Sequence, residues 1–313
     1  MVDLDKCLEE MNLLLKGLDT SGYEDASTAP PPIHILGVPR SGTTVAIQIL
    51  AATLGLGYID NLAAMFWTAP VLGVLVAKKL LGSSHTPRSF HSYFGRTQGV
   101  LEPHEFGRFW MDALGYSDMQ QKPQTHEQSI DWDMLRMKIV NMGLAFGRPY
   151  LLKSFLLTWH LARYHKAVPN SLYIRMERTP LETAASIMKL RRASETNRAR
   201  WVPLKAIACS AYDSEPLPVQ IASLMHFLNQ ALDEGLNAVP AKQVLKVSMA
   251  EVSQPNSFAD RIAEWLTAAG WKPTQRVEIG ALPGKDTSSP DLTPAELDEL
   301  RSAIDYVNAS ARR

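Results

Sequence analysis

The stretch Ile33-His34-Ile35-Leu36-Gly37-Val38-Pro39-Arg40-Ser41-Gly42-Thr43-Thr44 decides the fold. A short apolar run, Ile33 to Gly37, ends in a glycine turn, and Thr43 to Thr53 has a helical pattern, so the segment reads as strand, loop, helix. Gly37 to Thr44 keeps the G-x-x-x-x-G spacing of a phosphate-binding loop, but Thr43 stands where a nucleotide kinase carries lysine. The anion cradle survives that change. Glycine lets the backbone approach an anion, and free N–H groups at the helix start point at it with the helix dipole behind them. Thr43 and Thr44 add hydroxyls in the first turn, and Arg40 keeps one cation within the loop.

Outward from this loop, further short strands are expected at Tyr150–Lys153, Ser171–Met176 and Val244–Ser248, separated by helical stretches. Strands alternating with helices predict an α/β fold of P-loop type, a three-layer α/β/α sandwich around a central parallel sheet. Thr179-Pro180-Leu181-Glu182 and Thr293-Pro294-Ala295-Glu296 read as capping boxes with proline at the first helical position. Another helix is expected from Ser257 to a glycine stop at Gly270. Upstream, residues 4–18 space leucines as an amphipathic helix, followed by a turn-rich linker from Thr20 to Pro32. The expected organisation is thus an N-terminal helix and linker, 1–32, and one domain, 33–313.

The 313 residues balance 32 basic against 32 acidic side chains, so the overall charge points to neither a nucleic-acid nor a membrane partner, and any anion site is local. The apolar run Leu62–Ala77 is short for a bilayer span and holds Pro70 and Gly73, so a buried helix-turn is expected and no integral membrane segment. Cys7 and Cys209 are far apart, and the N-terminus is too charged for a signal peptide, which makes a cytoplasmic location the default.

A second motif lies in SLYIRMERTPLETAASIMKLRR, Ser171 to Arg192. A strand runs into Arg178, Thr179 caps the next helix, and Ser186 falls seven residues, two helical turns, beyond that cap. An arginine fork plus a hydroxyl on the same face suits a terminal phosphate.

Together these strings resemble the sulfotransferases that use 3′-phosphoadenosine-5′-phosphosulfate (PAPS). GVPRSGTT resembles the family's 5′-phosphosulfate loop, close to that of the protein-tyrosine and many bacterial sulfotransferases, which implies that Arg40, Ser41, Gly42, Thr43 and Thr44 bind the sulfate-bearing end of PAPS. Arg178 and Ser186 match the family's 3′-phosphate element. Lys153, 25 residues before Arg178, stands where relatives carry a lysine aimed at the transferring group, although this chain has Lys-Ser-Phe in place of Lys-Ser-Pro or Lys-Asp-Pro. Met249-Ala250-Glu251-Val252 replaces the relatives' Y-E-D-L, and the tryptophan-containing glycine-rich C-terminal loop of the small-molecule enzymes is missing. The resemblance spans roughly residues 33–270.

It implies in-line transfer of the sulfuryl group to a hydroxyl acceptor, with PAP as product and no metal. Arg40 and the helix N-terminus would meet the leaving oxygen, and Lys153 the sulfuryl oxygens. A general base must still take the acceptor proton. Glu105 is the first candidate, because Phe106, Phe109 and Trp110 would surround it with apolar groups; His104, Glu102 and Asp60 are the alternatives. A carbohydrate acceptor is expected by analogy, ahead of tyrosine or a small alcohol; a P-loop nucleotide kinase and a non-catalytic PAP-binding protein are the other readings. The aromatic residues of 91–96 and 106–110 could stack on an acceptor ring or form core. The basic cluster Arg191, Arg192, Arg198, Arg200 and Lys205 reads as a solvated face or as an attractor of anionic ligands.

Overall fold

The computed structural model describes residues 3–16, 23, 28–82, 85–87, 89–90, 97–193, 204–282 and 291–311. In chain order the elements are α1 (Leu4–Leu15), β1 (Pro32–Leu36), α2 (Thr43–Leu54), β2 (Gly57–Tyr58), α3 (Pro70–Leu81), α4 (Gly107–Ala113), α5 (Trp132–Phe146), β3 (Tyr150–Leu152), α6 (Leu161–Ala167), β4 (Leu172–Glu177), α7 (Pro180–Ala193), α8 (Leu217–Asn237), β5 (Val244–Ser248), α9 (Met249–Val252), α10 (Pro255–Ala268) and α11 (Pro294–Ser310).

Successive side chains of a strand point to opposite faces, and here both faces are buried. Ile33 and Ile35 of β1, Leu151 of β3 and Ile174 and Met176 of β4 pack on one side with α2 and α10. Leu36, Tyr150, Leu152 and Tyr173 pack on the other with α4, α5, α6 and α8. The sheet order is β2-β3-β1-β4-β5, every pair parallel. This is the expected α/β/α sandwich. A further cluster, including Ile187, Met225 and Leu300, joins α7, α8 and α11.

Details depart from the sequence reading. The two-residue strand β2 carries too short an apolar signal to be seen, and α1 stops at Leu15 rather than 18. α10 starts two residues early, at Pro255, where proline suits the first helical turn. The 62–77 run becomes a 3₁₀ turn, Ala63–Met65, then α3 opening on Pro70 with Val74 and Ala77 buried. Among the described residues no helix is long and apolar enough to cross a membrane. Thr293 and Glu296 form the full capping box, as do Ser248 and Glu251, which the sequence reading passed over. Thr179 meets Glu182 side chain to side chain at 2.8 Å. α1 docks through buried Asn12, whose side chain donates to the Met65 carbonyl at 2.8 Å and accepts from Thr68 N at 3.0 Å. Much of the linker after it, 17–22 and 24–27, lies outside the described residues.

Candidate active site

Three adjacent parallel strands end side by side: β3 at Lys153, β1 at the 37–42 loop and β4 at Arg178. The carboxyl edge around the strand where connections diverge to both sides is where open α/β sheets take ligands.

The loop is shaped by backbone. Gly42 has φ +94° and caps α2, and Arg40 has φ +72°, so the chain twice enters the left-handed region before the helix begins. Gly37 leaves the space for a close approach: a Cβ there would lie 2.3 Å from Ser41 Oγ. That hydroxyl is fully buried and has no hydrogen-bond partner among the described residues. An unpaired buried hydroxyl costs about 1–3 kcal/mol, and a bound anion would satisfy it.

Two side-chain groups flank the loop. On the β4 side Arg40 Nε donates to Ser186 Oγ at 3.0 Å, and Arg178 donates to the Arg40 carbonyl at 3.0 Å. Glu182, one turn into α7, lies 3.7 Å from Arg178 Nε. On the β3 side the Lys153 ammonium, only 4% exposed, donates to Thr44 Oγ1 at 3.2 Å and forms an ion pair with Glu105, whose side chain is 39% exposed. The Arg40 guanidinium therefore sits with the Arg178–Ser186 group, and the ammonium beside Thr44 is that of Lys153.

Glu105 reaches this place through a turn pinned on both sides. His104 N donates to the Ile59 carbonyl at 2.8 Å and Asn61 N to the Glu102 carbonyl at 3.0 Å, an antiparallel bridge centred on Asp60 and Pro103. The next residue, Phe106, is buried yet has φ +55°, a strained conformation for a bulky side chain, and its N–H donates to His104 Nδ1 at 2.8 Å. Packing of Phe106 against Phe109 holds the kink. The sequence reading placed Glu105 within an apolar envelope of Phe106, Phe109 and Trp110; instead those rings turn into the core and the carboxylate faces Lys153.

The remaining base candidates are held in other bonds. Buried Glu102 accepts from Gln48 Nε2 at 3.1 Å and from Ser89 N at 2.8 Å. Buried Asp60 accepts from Ala63 N at 2.7 Å and pairs with His85 at 2.8 Å. His104 is exposed, with Nδ1 engaged in the turn.

The sequence reading passed over Met119 and noted Met249 only as the start of the segment that replaces Y-E-D-L. Met249, at the start of α9, covers the loop so closely that a Cβ on Gly42 would lie 2.3 Å from its sulfur. Met119 lines a small cleft of about 20 Å³, room for one water, beside the Lys153–Glu105 pair, with Gly107, Trp110, Ser154, Phe155 and Leu156. Met119 belongs to no motif, and the place of Met249 over the loop is set by the fold rather than by its neighbours in sequence. Of the basic cluster, Arg192 pairs with Glu296 and Lys205 with Asp213; Arg198 and Arg200, like the aromatic segment 91–96, lie outside the described residues. A larger groove of about 810 Å³ lies between Leu54, α10 and residues 272–276. It opens at the far end of the 12-residue α2, about 18 Å from the cradle, and is not part of this site.

A parallel sheet with a glycine-shaped loop at its carboxyl edge, cations on either side of that loop and a carboxylate beside one of them is the P-loop-type fold. The chain belongs to the sulfotransferase family, whose model matches residues 31–273. It is similar in fold to a sulfotransferase of Mycobacterium avium, at 15% identity and a TM-score of 0.52, over 96% of this chain and 82% of that one. A sulfotransferase of Alicyclobacillus acidocaldarius aligns at 16% identity and a TM-score of 0.45, over 91% of this chain and 97% of that one. No curated protein matches the sequence.

Proposed function

We propose that this sulfotransferase takes PAPS as donor and that Glu105 is the general base toward a hydroxyl acceptor. The observation that carries the reading is Lys153 Nζ, shared between Thr44 of the cradle and the Glu105 carboxylate. It joins the anion loop to a proton acceptor through one buried cation.

The residues present fit the donor. The loop N–H groups, the orphaned Ser41 hydroxyl and Thr43 and Thr44 would hold the 5′-phosphosulfate, and Arg178, Arg40 and Ser186 the 3′-phosphate. When bound, PAPS supplies the sulfuryl group. Glu105 takes the proton of the acceptor hydroxyl at Oε1 or Oε2. As that carboxylate is neutralised, the Lys153 ammonium loses its partner and stays beside Thr44, free to face negative charge in the cradle. Asp60 and Glu102 keep the Glu105 turn in place.

Calorimetric titration with PAP, beside ATP and magnesium, tests the donor. PAP binding without metal is expected, weakened about 10- to 100-fold in Arg178→Ala, the value of a charged hydrogen bond. Absence of PAP binding, or tighter magnesium-dependent binding of ATP, would overturn the reading.

A further inference from the structure

We propose that α3 is a docking face for an anionic membrane surface, on which the helix lies flat without crossing it. This face is separate from the cradle, and the proposal does not rest on the donor or base assignment.

The neutral overall charge hides a local bias. Residues 61–101 contain no aspartate or glutamate, so all 32 acidic side chains lie outside this 41-residue stretch. Its lysines and arginines are Lys78, Lys79, Arg88 and Arg96, and of these the described residues include the two lysines, near the end of α3. A helical step of about 100° puts Leu72, Leu75, Val76, Lys79 and Leu80 on one face of α3. The opposite face, with Pro70, Gly73, Val74 and Ala77, is buried. The first face stands in water: Leu72 is 38% exposed, Leu75 49% and Leu80 69%, beside exposed Lys79. Lys78, between the two faces, donates to the Ala145 carbonyl.

A single exposed leucine needs no explanation, but a row of three with a lysine among them has the pattern of an interfacial helix. The leucines enter the acyl boundary while the lysine stem reaches up to the lipid phosphates. A second copy of the chain fits this face less well. A two-fold dimer sets one patch against itself, bringing Lys79 toward Lys79 with no carboxylate in the stretch to pair them. α1 supplies the contrast. Leu13 and Leu14 are also exposed, but Asp3, Asp5, Glu9 and Glu10 outnumber Lys6 and Lys16 there, so an anionic surface repels that helix.

The test is co-sedimentation of the full chain with vesicles of phosphatidylcholine, alone or with phosphatidylglycerol as about a third of the lipid. Binding to the mixed vesicles should be about 10-fold tighter or more, and should weaken as salt is raised. Leu75→Ser with Leu80→Ser should lower it about 10-fold through lost apolar burial, and Lys79→Gln about fivefold. Leu13→Ser with Leu14→Ser should leave it unchanged. All these positions are exposed, so each variant should keep the wild-type unfolding temperature, which separates lost binding from lost fold. No binding of the folded chain to mixed vesicles, or an equal loss in the α1 variant, would overturn the proposal. A dimer in analytical ultracentrifugation that Leu75→Ser with Leu80→Ser dissociates would also overturn it and give the face to a second copy.

Discussion

The two sides of the cradle are made of different material. On the Arg178 side the elements are largely backbone: a loop bent through positive φ at Arg40 and Gly42, a helix start, and a guanidinium that itself grips the Arg40 carbonyl. On the Lys153 side everything is side chain: an ammonium on one strand end and a carboxylate on a kinked turn 48 residues away in sequence, with a small apolar cleft beside them. Backbone donors survive most substitutions, and their geometry follows from a few consecutive residues. A side-chain pair depends on two remote segments arriving together. The first side should therefore govern binding of the donor, and the second turnover.

The sharpest break is at the pair. Glu105→Gln should lower kcat about 10²- to 10⁴-fold, as loss of a general base does. Lys153→Met should cost about 10²- to 10³-fold, as for one preorganised charge donor. Because the two groups act as a unit, the double variant should be little worse than the poorer single one. PAP affinity, measured by calorimetry, should stay within about threefold throughout. A loss of PAP affinity as large as the loss of kcat would erase the division between the two sides.

The next effect falls on the other side and reads out as stability. Gly42→Ala puts a Cβ at φ +94°, a strain of about 1–2 kcal/mol, and 2.3 Å from Met249 sulfur. The thioether can swing away, so strain dominates, and adding Met249→Ala should recover only a minor part. Urea unfolding and PAP titration should both show the loss. Wild-type stability would mean that the left-handed turn is not needed to form the cradle.

The same contrast explains what could be read before folding. Gly37 to Thr44, Arg178 and Ser186 are close in sequence or at helical spacing, and their residue types carry the chemistry by themselves. The alternating apolar strands gave away the sheet for the same local reason. Glu105 could be ranked first only on its aromatic neighbours, and their packing proved different; the contacts that set it apart from Glu102 and His104 are not local. What separates them is the 59–61 bridge, the Phe106 kink and the arrival of Lys153, all non-local contacts. The cleft is harder still: Met119 and Leu156 look like ordinary core residues until the fold sets them beside the pair.

The smallest effect sharpens the comparison through pH. His85 Nδ1 faces the Gly82 carbonyl at 2.8 Å and Nε2 faces Asp60 Oδ2 at 2.8 Å. Both partners accept, so the imidazolium, with two N–H donors, fits the site best. Burial acts to lower the His85 pKa, but the hydrogen bonds to Asp60 and Gly82 outweigh it, and the net shift is upward. A raised folded pKa gives a stabilisation that is complete below the unfolded value, about 6.5, and is lost as pH rises through the folded one. The difference between a charged and a neutral hydrogen bond, about 1 kcal/mol, sets its size. Thermal unfolding between pH 5.5 and 8.5 should therefore lose on the order of 2 °C, and Asp60→Asn should abolish that dependence. The loosening belongs to the turn that carries Glu105. Amide exchange should accordingly rise with pH at residues 59–61 and 102–106, beyond the intrinsic increase, and not in the first turn of α2. Equal loosening of both would mean that the two sides of the cradle move as one.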